Sequence, residues 1–292
     1  MSSTALVSDS TAGLSEDFVR RHDISVVPLY LKIGETTYRD GLDITPDEFY
    51  ARLPNCDVLP TTSQPSVGDF EQVYGQLAEQ GVTDIISIHL SSEISGTVNS
   101  ANQAASQMRG LRIEVVDTLC AAGAHRLAVE TGAGCLECGA SFEETVAAVM
   151  RVVDHQRTLF VVDTLEYLYK GGRIGGAAAL VGSLLQFKPL LCIREGKVDA
   201  LERVRVSGRA LRRMVDIMGD WLGSEGPLQA MVMHAACLEE AESLAELLPQ
   251  RLDVANVRIM ALPPVLGAHV GNGTLGLCCC PASACGMPEQ ES

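Results

Sequence analysis

Short apolar runs alternate with stretches whose apolar positions recur at helical spacing along most of the chain, and no fixed-period repeat is present. That alternation predicts an α/β fold. The expected strands are Ala5 to Ser8, Ile24 to Leu31, Asp84 to Ile88, Ile113 to Val116, Leu159 to Val162, Leu190 to Arg194, Lys197 to Val204, Ala230 to His234 and Val257 to Ala261. Several are uninterrupted apolar runs, as strands covered on both faces of a parallel sheet tend to be. Helix starts are written between them. Thr45-Pro46-Asp47-Glu48 sets an N-cap, an N1 proline and an N3 acid in order, Ser141-Phe142-Glu143-Glu144 follows the same capping-box logic, and Ser66-Val67-Gly68-Asp69 offers a third start. Around Lys32-Ile33-Gly34-Glu35-Thr36 the β-prone flanks predict a small hairpin over 31–41.

The pattern changes near residue 156, after the helix expected from Ser141 to His155. Before that point strands are separated by helices, as a parallel sheet requires. After it, Ile193-Arg194-Glu195-Gly196-Lys197-Val198 is a turn between adjacent strands, which demands antiparallel pairing. The expected organisation is two domains: residues 1–156, a Rossmann-like parallel sheet flanked by helices, and 157–292, an α+β domain with a mixed sheet and a Cys-rich tail.

Composition narrows the function classes. In 292 residues, 47% are hydrophobic and 20% charged, a globular balance. Aromatic residues make up only 4%, and 22 basic against 37 acidic residues leave a net charge of −15 without any basic run. Nucleic acid is therefore excluded as an expected partner. No apolar stretch reaches the roughly 18 to 20 residues of a membrane span, and the first residues lack a signal-peptide plan. The expectation is a cytoplasmic protein with ten reduced thiols and no integral membrane association. Cys135-Leu136-Glu137-Cys138 has no second pair at zinc-site spacing and reads as two core thiols near a turn, and the Cys278-Cys279-Cys280 run would alternate faces if it were a strand. No metal, cofactor or catalytic residue is expected from these patterns.

Three hydroxyl-rich loops fall where strands should end: Ser8-Asp9-Ser10-Thr11, Thr61-Thr62-Ser63-Gln64-Pro65-Ser66 and Ser91-Ser92-Glu93-Ile94-Ser95-Gly96-Thr97. Ligands of open α/β sheets bind outside the carboxyl ends of the strands, and each loop also opens a helix, where free N–H groups favour an anion. Each loop taken alone reads as an ordinary set of N-caps; together the three point to a carboxylate or phosphate site built from neutral donors. Glu166-Tyr167-Leu168-Tyr169-Lys170-Gly171-Gly172-Arg173-Ile174 reads as a short helix stopped by glycine. Its lysine precedes the glycines, so it is not a phosphate-binding P-loop, and helix termination leaves Arg173 unexplained. Gly271-Asn272-Gly273-Thr274-Leu275-Gly276 has dinucleotide-loop spacing, but too little chain follows for the helix and second strand that loop needs. Leu262-Pro263-Pro264-Val265-Leu266-Gly267-Ala268-His269 delivers a histidine into that glycine-rich loop.

From Ser8-Asp9-Ser10-Thr11-Ala12 to about Gly276, through Thr62-Ser63-Gln64-Pro65-Ser66, Ile94-Ser95-Gly96-Thr97, the Lys170 to Arg173 segment and Gly267-Ala268-His269, the chain resembles the DegV family of fatty-acid-binding proteins, which includes the acyl-binding subunits of bacterial fatty acid kinase. The resemblance implies that Thr62 and Ser95 hydrogen-bond a fatty acid carboxylate and that His269 lies by the head group. It places Arg173, Lys170, Ser63 and Gly96 as candidate head-group or partner contacts. The expected ligand is one long-chain fatty acid such as palmitate, and the expected partner is a fatty acid kinase catalytic subunit, within phospholipid synthesis. Val270 and Asn272 depart from the family's usual loop. The apolar set Leu180, Val181, Leu184, Leu185 and Phe187 is a candidate tunnel wall or a plain core helix. Two other readings stand beside this one: a hydrolase or transferase with Ser95 as nucleophile and His269 as base, which lacks a G-x-S-x-G elbow, and a lipid chaperone without a kinase.

Overall fold

A computed structural model describes residues 4–180, 188–204 and 207–286. The first half runs β1 (Thr4–Asp9), α1 (Glu16–Arg21), β2 (Ser25–Val27), β3 (Tyr30–Ile33), β4 (Thr36–Arg39), α2 (Pro46–Arg52), β5 (Thr61–Ser63) and α3 (Val67–Glu79). It continues through β6 (Asp84–His89), α4 (Thr97–Gln107), β7 (Arg112–Asp117), α5 (Gly123–Glu137) and α6 (Phe142–His155). The second half contains β8 (Arg157–Val161), α7 (Glu166–Lys170), β9 (Lys188–Arg194), β10 (Lys197–Val204), α8 (Ser207–Leu222), β11 (Leu228–His234), α9 (Leu238–Leu247), β12 (Val254–Ala261), α10 (Pro264–Val270) and β13 (Leu275–Pro281).

Two sheets carry the fold. The first is wholly parallel, in the order β2-β1-β6-β7, and the second is mixed, in the order β10-β9-β8-β13-β11-β12. In the second sheet only β11 and β12 run parallel; every other neighbouring pair is antiparallel. A small antiparallel sheet, β4-β3-β5, holds the expected hairpin and adds a strand to it. All three legible helix starts form: Thr45, Ser66 and Ser141 each make a complete capping box with the acid three residues on.

Layering follows from which faces are apolar. α3 and α4 cover one face of the first sheet with Phe70, Tyr74, Ala101 and Ala104, and α8 and α9 cover the outer face of the second with Met214, Met218 and Leu244. Between the sheets lie α5 and α6. α5 is buried almost all round from Gly123 to Ala133, because both its sides meet strands: Leu6, Ile86 and Ile88 on one side, Met231, Met233, Cys278 and Cys280 on the other. Glu130 of α5, only 6% exposed, also takes two hydrogen bonds from Arg258 of β12, at 2.8 and 2.6 Å.

Three expectations change. The run from Ile24 to Leu31 is two strands in different sheets, because Pro28 interrupts the ladder and the Leu29 N–H turns instead to Ser10 Oγ, at 3.1 Å. The cysteine-rich segment is no tail: β13 lies in the middle of the second sheet between β8 and β11, with Cys279 in the outer core and Cys278 and Cys280 in the shared one. Cys138 is exposed at the end of α5 and is not a core thiol. Of the candidate tunnel wall, Leu180 is buried against Phe160, Leu168 and Val198, whereas Val181, Leu184, Leu185 and Phe187 lie outside the described residues.

Because β13 joins β8 to β11, its packing holds the second sheet together. Leu277→Ala is expected to cost about 2 to 5 kcal/mol of unfolding free energy, since Leu277 is fully buried with apolar neighbours on a central strand. Urea denaturation measures this, and a loss below about 1 kcal/mol would contradict the central placement.

Candidate functional site

The crossover from β1 leads to β2 on one side and that from β6 leads to β7 on the other, so a crevice opens between the carboxyl ends of β1 and β6. A partly open cavity lies there, its roughly 940 Å³ of space free of protein atoms including solvent at the mouth, walled by Leu90, Phe160, Leu168, Ile193, Met233 and Val265. Both halves of the chain contribute. The polar lining includes Thr62, Ser63, Gln64, Ser95, Arg173 and His269. A mostly apolar wall with a few convergent polar groups is the usual make-up of a small-molecule site.

His269 is set by α10, not by a loop. Pro264 opens that helix, the Val265 N–H donates to the buried Asp40 carboxylate at 3.2 Å, and His269 falls in the last turn. Its Nε2 is 2.7 Å from Thr62 Oγ1, and its Nδ1 has no hydrogen-bond partner among the described residues. Burial keeps the imidazole neutral by bringing its pKa down to about 4, and the Arg173 charge pushes the same way. Gly171 makes room for the ring: a Cβ there would stand 2.4 Å from His269 Nδ1.

Arg173, which helix termination left unexplained, is held by carbonyls. Its Nε donates to Ile94 O at 3.1 Å and its Nη1 to Gly171 O at 2.7 Å, and among the described residues it forms no ion pair. That grip ties the second half to the loop carrying Ser95. Ser95 Oγ accepts from the Thr97 N–H at 3.3 Å and lies 2.9 Å from Thr97 Oγ1, at the start of α4. Ser95 and His269 therefore line one cavity but each bonds to a different hydroxyl, so the nucleophile–base pairing is not formed.

The remaining candidates separate. Lys170 is bonded to Glu166 at 2.5 Å with both side chains more than half exposed, beside a shallow depression shared with Thr62, Tyr167, Arg173 and His269. Ser63 borders the main cavity. Gly96 does not: it lies against Gln64, whose Oε1 would be 2.2 Å from a Cβ there. The first hydroxyl loop also stays out of the cavity, because Ser8 and Thr11 are fully buried and turned onto histidines and Asp9. Gly271 to Gly276 is a turn into β13, not a nucleotide loop. Sequence reasoning missed Gln64, Phe160 and Met233, ordinary core and loop residues whose pairing with the cavity has no local signal.

The pattern described as "Uncharacterised protein, DegV family" matches residues 3–282. The chain belongs to the DegV family. A DegV domain-containing protein of Halalkalibacterium halodurans is 35% identical over 277 residues, 95% of this chain and 98% of that protein. A Thermus thermophilus structure described as fatty acid binding of a DegV family protein superposes with a TM-score of 0.90 at 35% identity, covering 95% of this chain and 99% of the other. DegV of Bacillus subtilis, described as a fatty acid binding protein, gives 0.88 at 32% identity over 96% of this chain and 99% of its own. A stearic acid-binding protein of Eubacterium ventriosum gives 0.89 at 28% identity, over 96% and 98%. The two-domain architecture, a parallel sheet beside a mixed one, is thus the DegV fold. No described helix is long and apolar enough to cross a membrane.

A neutral buried His269 makes stability depend on acid. Its pKa falls from 6.5 in the unfolded chain to about 4 in the folded one, so its contribution is complete above pH 6.5 and is lost as pH drops towards 4. Between those values the parent's unfolding free energy should fall more steeply with acid than that of His269→Gln, by up to about 1.4 kcal/mol per pH unit. Denaturation curves between pH 4 and 7 read the difference, and parallel slopes would refute it.

Proposed function

We propose that this protein binds one long-chain fatty acid between its two domains, 1–156 and 157–292, and presents the carboxyl group to a fatty acid kinase catalytic subunit for acyl-phosphate formation. The observation that carries the reading is the apolar cavity whose lining brings Thr62, Ser95, Arg173 and His269 together. Burying about 14 methylenes at about 0.8 kcal/mol each contributes on the order of 11 kcal/mol before ordering costs, so the acyl chain dominates affinity and the polar cluster fixes orientation.

The head-group chemistry suits an anion. A neutral His269 that donates its Nε2–H to Thr62 Oγ1 leaves the Thr62 hydroxyl proton free for a carboxylate oxygen. Ser95 supplies a second hydroxyl, and Arg173, bonded among the described residues to carbonyls and to no acid, brings further donors nearby. The fatty acids bound by the Thermus thermophilus, Bacillus subtilis and Eubacterium ventriosum relatives support the ligand class. In a chain of net charge −15, the cations Arg173 and Lys170 by the shallow depression offer a partner or a phosphorylated product a favourable approach.

Extraction of the purified protein under denaturing conditions, followed by mass spectrometry, should release long-chain fatty acid at about one per chain. Thr62→Ala combined with Ser95→Ala should weaken retention by about 10- to 100-fold, each change removing a head-group donor. An empty protein that also takes up neither palmitate nor oleate would refute the reading.

A further inference from the structure

At the carboxyl ends of β1 and β6 lies a set of titratable groups that touches neither the cavity nor solvent. Asp9, His89 and His125 are all fully buried, as are Ser8, Thr11 and Ser87. The Asp9 carboxylate is divided between two loops. Its Oδ1 accepts from Thr11 N at 3.0 Å and Thr11 Oγ1 at 2.5 Å; its Oδ2 accepts from His89 Nδ1 and Leu90 N, each at 3.0 Å. His89 Nε2 is 2.7 Å from Ser87 Oγ, which is 2.8 Å from Tyr74 OH. If His89 is neutral and donates through Nδ1, its Nε2 accepts from Ser87 and Tyr74 can donate to Ser87, so that the protons of the row point towards Asp9. The spacing resembles a Ser-His-Asp triad, but Ser87 and His89 are fully buried and do not line the cavity, so no ligand in it reaches them.

The row ends on the loop that matters. Leu90, whose N–H Asp9 holds, lines the cavity, and the next residue, Ser91, accepts the Ser95 N–H at 3.1 Å. Ser91 N donates to Cys120 O at 2.7 Å, which fixes the turn from its other side. We propose that Asp9 is the positioning residue of the carboxylate site: its Oδ2 sets the direction in which the chain leaves β6, and through Leu90 and Ser91 it fixes where Ser95 meets the ligand. Burial opposes the charged form, but His125, His89 and Thr11 outweigh it and lower the Asp9 pKa to about 2, so the carboxylate is ionised around neutral pH. Asp9's effect on the loop is independent of ligand; its effect on affinity rests on the fatty acid reading above.

The test compares the parent with Asp9→Asn and His89→Gln. Asparagine cannot accept at both terminal atoms, so in ligand-free protein the amides of residues 90–95 should exchange with deuterium about ten-fold faster or more, while those of β11 keep their protection. The second readout is affinity for palmitate and for methyl palmitate, which share an acyl chain but not a carboxylate. Asp9→Asn should weaken palmitate binding about ten-fold and ester binding less than about two-fold. Unchanged exchange over 90–95, or equal weakening of acid and ester, would overturn the assignment, because a merely structural defect loosens both ligands alike. Should Asp9→Asn fail to fold, His89→Gln, which removes one donor of four, carries both readouts with about three-fold changes. If the parent binds neither lipid, the fatty acid reading falls and the exchange result alone decides whether Asp9 positions the loop.

Discussion

The structure depends on the burial of α5 between two sheets. Its small and apolar residues from Gly123 to Ala133 are covered by Leu6, Ile86 and Ile88 of the parallel sheet and by Met231, Met233 and Cys278 of the mixed one. A helix buried on nearly every side needs cover from both sheets, so the two halves share one core through it. Where that shared layer runs out, at the carboxyl ends of β1 and β6, the gap between the sheets becomes the cavity. Its apolar wall is therefore a continuation of the core.

Charge is rationed at the polar edge of that cavity. Thr62 and His269 bond to each other, Ser95 bonds at the start of α4, and Arg173 is gripped by two carbonyls with no acid beside it among the described residues. A buried cation paired with a protein carboxylate would offer little to an incoming anion, whereas one satisfied only by carbonyl dipoles retains its charge. The same guanidinium helps to hold His269 neutral, so the imidazole serves as a hydrogen-bonding group and not as a second charge. Arg173 also links the halves through Ile94, which makes this polar cluster part of the contact between them.

A second polar layer lies behind the first. Asp9 joins the ends of β1 and β6, and its four hydrogen bonds hold two loops at the switch point of the parallel sheet. Open α/β sheets bind ligands at such points because diverging crossovers leave a crevice. Here the crevice needs rigid edges, and a buried ionised carboxylate supplies one at the cost of desolvation that its donors offset.

Local chemistry was legible. Capping boxes at Thr45, Ser66 and Ser141, the parallel-to-mixed change after His155 and the hairpin beyond Tyr30 depend on residues within a few positions of one another. The DegV motifs, also local strings, brought together Thr62, Ser95, Arg173 and His269, which do line one cavity. Other features had no local signal. Three hydroxyl residues make β5 only because β3 lies alongside, Pro28 divides one apolar run between two sheets, and the cysteines of β13 become a central strand only between β8 and β11. The role of Asp9 likewise needs His89, a residue 80 positions away. Sequence by itself determined most of the helices and strands, through caps and periodicity within a few residues, and the hydroxyl and basic residues that line the cavity. Tertiary structure alone decided which strands pair and which polar groups are spent on one another, because pairing and burial are settled by partners distant in the chain.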